Sequence, residues 1–370
     1  MKALNIKLSV KKTFTFSKNI FRFYLRKLSE KRIFPIDYEL LGEYNIKHSK
    51  NYESLSLREL FESTDFYEYT IKENLLSLYL LNDLKVSHKK GYLSKSYYLL
   101  HSSELISWSY EDVFNHLIPI FYPKNKINLK KAVVITSKSF NNYWHWHHDV
   151  LMYLTDLERY GITVRDVVIN EPLLSYHKQS LGYFLSKYKF HFVNNKKLLK
   201  IEKALVLNSN YLDSNYVKSL GLRIDSFRNM FANKKITNNK KIFIDRNNHA
   251  KGRNIINYEE LRSFLFEQEI EIIHLEKMNY YEQIELFQSS KLIVGPHGAG
   301  FTNIIFCGEN TQIIELNHKN RVNPIFQLVS KIIGLKHTML LSYNETIQSD
   351  PDILVNIEKL KDIINNKEFL

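Results

Sequence analysis

From Lys131 onward the chain alternates short unbroken apolar runs with longer amphipathic stretches. Ala132–Thr136, Asp166–Ile169 and Ala204–Leu207 are runs of the first kind, and each predicts a buried strand. Between them, Asn141–Arg159 predicts a helix, with Leu151, Leu154 and Leu157 among its apolar positions, and Leu174–Tyr188 predicts another. A polar, Asn- and Lys-rich stretch at Phe227–Lys240 breaks the rhythm, which then resumes. Strands are expected at Lys241–Asp245, Glu271–Leu275, Lys291–Val294, Gln312–Leu316 and Lys336–Leu341. Helices are expected at Tyr258–Glu267, Tyr280–Ser289, Phe301–Phe306, Asn323–Ile333 and Ile353–Ile364. Strands alternating with helices predict parallel sheets covered on both faces. The fold class is therefore α/β, with two doubly wound, Rossmann-like domains facing across a cleft. Ligands of such sheets bind beyond the C-terminal strand ends.

The first part of the chain is less regular. Leu55–Glu62 and Lys72–Leu81 read as helical or partly extended, Tyr92–His101 as a strand, and Lys124–Lys131 as a basic, polar connection. Residues 1–34 differ from the rest, being rich in Lys and Arg with one acid, Glu30, and interleaved with Phe14, Phe16, Phe21 and Phe23. Between Ser17 and Arg32 the pattern suits a basic amphipathic helix, which either lies on an anionic bilayer or packs inward as a first domain helix. The expected organisation is a basic segment over 1–34, an N-terminal α/β domain over 35–226 and a C-terminal α/β domain over 227–345. A closing helix over 346–370 completes it.

Composition narrows the partners. The 370 residues are 44% hydrophobic and 25% charged, as for a globular chain, and the formal charge is +13. Such an excess favours nucleic acid, an anionic membrane or a phosphorylated ligand. Much of it lies at the N-terminus and no nucleic-acid recognition motif is present, so no nucleic-acid partner is expected. Cys307 is the single cysteine, which excludes an internal disulfide and fits a reducing cytosol. No run of 18 or more apolar residues appears, and no signal-peptide core, so the expectation is a cytoplasmic protein, at most seated on the inner face of the membrane.

Three constellations carry chemistry. Gly295-Pro296-His297-Gly298-Ala299-Gly300 lies between a buried strand and a short helix. Glycines let backbone N–H groups come close to an anion, and the helix start adds positive potential. Thr302 and Asn303 stand in the first turn, where they would cap the helix or touch a phosphate. Glu315, at the end of the next strand, could take two ribose hydroxyls, as acids do in dinucleotide sites. Next, Ile244-Asp245-Arg246 ends a strand, with Lys251, Arg253 and Asn257 close behind. An arginine at a C-terminal strand end can hold a phosphate with its planar fork. Finally, in Trp144-His145-Trp146-His147-His148-Asp149, His145 and Asp149 lie four apart on one helical face. A carboxylate beside an imidazole fixes its tautomer and strengthens it as a base. Packing near a buried helix start and a metal site through His145, His148 and Asp149 compete with that reading. Asp350-Pro351-Asp352 reads as a cap for the last helix.

The segments NYWHWHHDVLMYL, IFIDRNNHAKGRNIINYEEL and VGPHGAGFTNIIFCGENTQIIEL, in this order, resemble glycosyltransferase family 61 over about Lys131–Leu316. The resemblance implies a fold of the GT-B type and an inverting transfer without a required metal or cofactor. It also implies a nucleotide-sugar donor and a glycan or lipid-linked glycan acceptor. In bacteria such proteins look like capsule or lipopolysaccharide assembly enzymes, and the Lys-, Asn- and Ile-rich composition is compatible with that setting. Onto this sequence it carries Arg246, His297, Gly298, Gly300, Asn303 and Glu315 for the donor, to which the placement of the residues adds Arg253, Ala299 and Thr302. His145 and Asp149 are carried over for the acceptor, with Asp149 expected as the base, because a carboxylate is always available at neutral pH, and His145 as its partner, roles that could be swapped. Val150-Leu151-Met152 departs from the Leu-Pro-Arg common in the family. A pyruvyl or phosphoryl transferase on the same fold, and a basic nucleic-acid-binding or membrane-peripheral protein without catalysis, are the alternatives.

Overall fold

The computed structural model describes residues 67–70, 77–87, 92–95, 98–99 and 125–365, the last span less 160–161, 163, 196, 209–215, 232–237 and 247–251. The expected basic helix within 1–34, the segment Leu55–Glu62 and Lys251 lie outside the described residues. The chain forms two compact units.

The first unit takes residues up to Phe140, Gly161–Glu171 and Leu185–Tyr216. Its described strands are β1 (Tyr67–Thr70), β2 (Ser77–Ser87), β3 (Tyr92–Lys95), β4 (Tyr98–Leu99), β5 (Asn125–Ile135), β6 (Asp166–Asn170), β7 (Lys189–Val193) and β8 (Lys197–Asn208). They make one mixed sheet in the order β4-β3-β2-β8-β5-β6-β7, with β1 on β2. β8, β5, β6 and β7 run parallel, as expected, while β1 to β4 add an antiparallel wing. Ala132, Val134, Val168, Val193, Ala204 and Val206 meet in one core cluster.

Two expectations fail here for physical reasons. The polar connection expected at Lys124–Lys131 is the first half of β5, in which Ile127 and Leu129 pack on the core between exposed residues. A strand wet on one face reads as polar in a run-based scan. The helix expected to reach Tyr188 stops at Leu181, and Lys189–Val193 becomes strand β7.

The second unit takes Asn141–Tyr160, Pro172–Phe184 and Val217–Leu370. It opens with α1 (Tyr143–Trp146), a π-helical turn (His147–Leu151) and α2 (Met152–Arg159), then α3 (Ser175–Leu181) and α4 (Tyr216–Met230). The stretch expected as one helix over Asn141–Arg159 is thus interrupted by the π turn. α4 lies where the interrupting polar stretch was expected to begin.

The remainder is a run of strands and helices: β9 (Lys240–Ile244), α5 (Tyr258–Glu267), β10 (Glu271–Ile273), α6 (Tyr280–Gln288) and β11 (Ser290–Pro296). A 3-10 helix (Ala299–Phe306), β12 (Gln312–His318), α7 (Ile325–Ile332), β13 (Lys336–Ser342) and α8 (Ile357–Asn365) follow. Every strand pairing in this sheet is parallel, in the order β10-β9-β11-β12-β13. Phe243, Val294, Ile314, Leu316 and Leu340 pack with Leu261, Phe264 and Leu360 of α5 and α8. Asn279 and Glu282 close a capping box at the start of α6. Among the described residues no helix is long and apolar enough to cross a membrane.

The segment bearing His145 and Asp149, expected in the domain over 35–226, clusters with the unit that carries the Gly-rich loop.

Candidate active site

The strand order of the second sheet has one reversal. The chain leaves β9 for β10 on one side and returns to β11 on the other, so the switch point lies between the C-terminal ends of β9 and β11. Sheets of this 2-1-3-4-5 order bind ligands at that crevice. Arg246 follows β9 there, and His297 follows β11.

The loop is built tightly. The His297 N–H donates to the Leu316 carbonyl at 2.9 Å, and the Phe301 N–H to the Gly298 carbonyl at 3.0 Å. The expected helix at Phe301–Phe306 is a 3-10 helix that starts at Ala299. Gly298 leaves room for an arginine, since a Cβ there would come within 2.3 Å of Arg246 Nη1. At Gly300 a Cβ would meet Leu275 Cδ1 at 2.8 Å.

Two guanidiniums converge on one carbonyl of this loop. Arg246 Nη1 donates to the His297 oxygen at 3.1 Å, and Arg253 Nη1 donates to the same oxygen at 2.7 Å. Burial, with the neighbouring charges of Arg253 and Arg321, pushes Arg246 down to about 10. Arg246 Nε is buried and has no hydrogen-bond partner among the described residues. Like charges gathered around a carbonyl, with buried N–H capacity left over, suit an anion. Asn257, by contrast, is spent on the backbone of Val355.

Glu315 does not stand where a ribose would reach it. Its side chain is fully buried, and its two oxygens accept from His297 Nδ1 and from His337 Nε2, the latter at 3.0 Å. Burial pushes the carboxyl up, and the two imidazoles more than offset that, holding it below the ordinary carboxylate range. Ser330 Oγ pairs with His337 Nδ1 at 2.8 Å and completes the chain. Glu315 thus orients His297, and with Nδ1–H committed, Nε2 is the His297 nitrogen left to meet a ligand.

Asn303 and Thr302 are also inside the fold. Asn303 Oδ1 accepts from the Tyr143 hydroxyl at 2.8 Å, and its amide donates to Gln283 Oε1 at 2.9 Å. These bonds use Asn303 to tie the 3-10 helix to α1 and α6. Thr302 is fully buried, and its Oγ1 has no hydrogen-bond partner among the described residues.

On the facing segment, Asn142 caps α1, accepting from the N–H groups of Trp144 and His145. Asp149 is buried and takes two imidazoles: His145 Nδ1 on one oxygen at 2.9 Å, His148 Nδ1 on the other at 2.6 Å. Burial alone would raise this carboxyl, but the two imidazole contacts hold it well below the ordinary range. A depressed carboxylate with both oxygens engaged is a poor base and a good orienting group. His145 keeps about a third of its surface exposed.

His147 plays a different part. Its Nδ1–H donates to the Tyr143 carbonyl at 2.7 Å, so its Nε2 accepts the Tyr280 hydroxyl at 2.9 Å. Burial lowers it to about 3. Both tryptophans are packed rather than presented. Trp146 is fully buried and donates to Ser180 at 2.9 Å, and Trp144 lies on His148 and edge-on to Phe326. Among the described residues no group of three or more His, Cys, Asp or Glu side chains is placed to hold a metal ion.

Phe326 of α7 joins the two halves of the site, with ring centroids 5.7 Å from Trp144 and 5.4 Å from His297. Arg246, Arg253, the 297–300 loop and the His145–Asp149 pair all belong to one unit. Sequence reasoning missed Tyr143, Phe326, His337 and Arg321. It noted Asp350 and Asp352 but assigned them to capping, whereas the last helix begins only at Ile357. Asp352 accepts from the N–H and side-chain amide of Asn254, and Asp350 pairs with Arg253 and Arg321.

A five-stranded parallel sheet with helices around it and a cationic, Gly-lined switch point defines a Rossmann-like α/β domain. Residues 143–314 match the family model described as Glycosyltransferase 61. That span contains His145, Asp149, Arg246, Arg253 and the whole 297–303 loop, and ends one residue before Glu315. The chain is also similar to a protein of Arabidopsis thaliana named Beta-1,2-xylosyltransferase, with 33% identity over 93 residues. The aligned region is 25% of this chain and 16% of that relative, so the chain spans a small part of the relative's length.

Proposed function

We propose that the chain is a glycosyltransferase that moves a sugar from a nucleotide-sugar donor to a hydroxyl of a glycan acceptor, with inversion and without a required metal. The observation that carries the reading is the convergence of Arg246 and Arg253 on the His297 carbonyl at the sheet's switch point, inside the segment that matches the family. The similarity to a protein named Beta-1,2-xylosyltransferase and the family resemblance both support it.

In this reading the donor's diphosphate lies on the 297–300 loop, opposite Arg246 and Arg253. The guanidiniums balance the charge that grows on the leaving diphosphate as the anomeric C–O bond breaks. His297, held by Glu315, adds a hydrogen bond from Nε2 when protonated. His145 is the base. Asp149 fixes its Nδ1–H tautomer, so Nε2 takes the acceptor hydroxyl's proton as that oxygen attacks the anomeric carbon from the opposite face. Asp149 is thereby a positioning carboxylate rather than the base. The remaining parts of the proposal are a GT-B arrangement of the two units and a cytoplasmic site of action at the membrane's inner face. A bacterial surface-polysaccharide acceptor rests on the family resemblance, with which the Lys-, Asn- and Ile-rich composition is compatible.

The test is a panel of nucleoside mono- and diphosphates and nucleotide sugars, read by thermal stability and by sugar release, with and without EDTA. A ligand that binds the folded state raises the melting temperature by mass action. A rise with one nucleotide and its sugar, lost in Arg246→Ala and indifferent to EDTA, is the expected result. No rise with any of them would remove the donor site, and a rise abolished by EDTA would overturn the metal-free form of the proposal.

A further inference from the structure

Beyond the loop, the second unit holds a third guanidinium. Arg321 stands just past β12, its N–H bonded to the His318 carbonyl at 2.9 Å. Its Nε lies 2.7 Å from Asp350 Oδ1, and Arg253 Nε lies 3.1 Å from the same oxygen. These contacts are short but poorly aimed. Asp350 Oδ1 and Arg253 Nε are both buried, and neither makes a directed hydrogen bond to a described residue. Two guanidiniums therefore share one carboxylate oxygen, and Arg246 feels the same charge from further off. Arg321 also acts electrostatically on both Arg246 and Arg253.

The backbone around Asp350 is pinned. Gly252 and Arg253 sit in the left-handed region, at φ 73° and 61°, and a Cβ at Gly252 would meet the Asp350 oxygen at 2.0 Å. The Arg253 N–H donates to the Pro351 carbonyl at 3.2 Å, and the Ile353 N–H to the Asn254 carbonyl at 2.8 Å. Only the Asp350 side chain has to turn for its place to be vacated.

From this arrangement we infer that Arg321 and Arg253 form a second cationic lobe of a diphosphate site whose first lobe is Arg246 with the Gly298 loop, and that the Asp350 carboxylate fills the second lobe until a diphosphate displaces it. The inference rests on the donor-site reading above and deepens it. A single phosphate can engage one lobe. A diphosphate spans both, and two of its oxygens can meet a planar fork where one carboxylate oxygen now meets two. Arg321 and Asp350 then set the preference for diphosphate over monophosphate, and both lie outside the 143–314 match.

The experiment is calorimetric titration of the full chain with inorganic pyrophosphate and with orthophosphate. The proteins are the native chain, Arg321→Gln, Arg321→Lys and Asp350→Asn, each checked by far-UV circular dichroism. Arg321→Gln is expected to weaken pyrophosphate about tenfold, the loss of one charge-assisted contact, and orthophosphate much less. Asp350→Asn is expected to tighten pyrophosphate severalfold, because the competing charge is gone. Arg321→Lys keeps the charge without the fork, should fall between, and decides the matter if the Gln variant does not fold. Unchanged pyrophosphate affinity in the Arg321 variants overturns the inference. So does weakening by Asp350→Asn, which would mark that residue as mere support, and so does a native chain that binds no pyrophosphate. A chain that shows the expected pattern but turns over no nucleotide sugar sinks the transferase reading and leaves the lobe standing. Transfer lost in Arg246→Ala but fully kept in Arg321→Gln does the reverse.

Discussion

The Tyr143 hydroxyl donates to Asn303 Oδ1 at 2.8 Å, joining residues 160 positions apart. Asn303 passes the connection to Gln283, whose amide ends on the Leu275 carbonyl. The bond therefore sets how α1, which begins the His145 segment, sits against the 3-10 helix that ends the Gly-rich loop. Tyr143→Phe keeps the ring contacts with His147 and Tyr176 and removes only the hydroxyl. It leaves a buried amide oxygen without its donor, which costs about 1–3 kcal/mol. Urea unfolding should show that loss, together with slower transfer. Native stability in the variant would show that the link does not hold the two halves together.

The two oxygens of Asp149 are committed to His145 and His148, which is why the proposed mechanism gives the base role to His145. His145→Ala should lower kcat by about 10²–10⁴-fold, the range of general base catalysis, with donor KM near native. Asp149→Asn can donate to His145 Nδ1 and so favours the wrong tautomer; it should lose rate comparably while His145 remains in place. Near-normal kcat in both variants would remove the pair from the mechanism. A large loss confined to Asp149→Asn would return the base to the carboxylate.

Stability should fall on acidification because Asp149, Glu315 and His147 together outweigh Asp156, a buried carboxyl pushed up to about 7 whose contribution grows as pH falls. Asp149 and Glu315 are held below the ordinary carboxylate range, so their contribution is complete above it and is lost as pH drops through it. His147, lowered by burial to about 3, stays neutral when folded but binds a proton when unfolded. Its contribution therefore declines from about pH 6.5 downward. The melting temperature should drop between about pH 6.5 and 3, and Glu315→Gln should flatten the lower part of that decline. A melting temperature flat across this interval would contradict the buried pairings.

What could be read from the sequence depended on how each element is solvated. The strands of the second sheet were legible because helices cover both faces, so Ile293, Val294, Ile313 and Ile314 form unbroken apolar runs. The wing strands β1 and β2, the polar half of β5 and the helix α4 were not, whereas Tyr92–His101, expected as a strand, holds β3 and β4. In β5 the inward residues Ile127 and Leu129 alternate with exposed ones, and in α4 a buried arginine, Arg223, sits among the apolar positions. In the candidate site, the loop and Arg246 were picked out by their place just past strand ends, and Arg253 by following Arg246 in the sequence. Glu315, expected at the strand end, lies midway along β12, and its partner His337, 22 residues away on a neighbouring strand, left no local signal. Arg321 and Asp350 carry no local pattern at all, since only the fold brings Asp350 to Arg253.

Gly298 gives the sharpest separation of fold from function. Its φ of 178° is extended backbone open to any residue, so alanine brings no backbone strain there. The new Cβ would lie 2.3 Å from Arg246 Nη1, which is the tip of a flexible side chain. Arg246 must therefore swing away, losing its bond to the His297 carbonyl, a cost of about 1 kcal/mol. Gly298→Ala should melt close to the native temperature yet bind donor as weakly as Arg246→Ala. The double variant should be no worse than either single, because both changes remove the same contact. Donor KM and melting curves for the four proteins decide it. Additive losses would mean that Gly298 serves the ligand by backbone approach rather than by making room for Arg246.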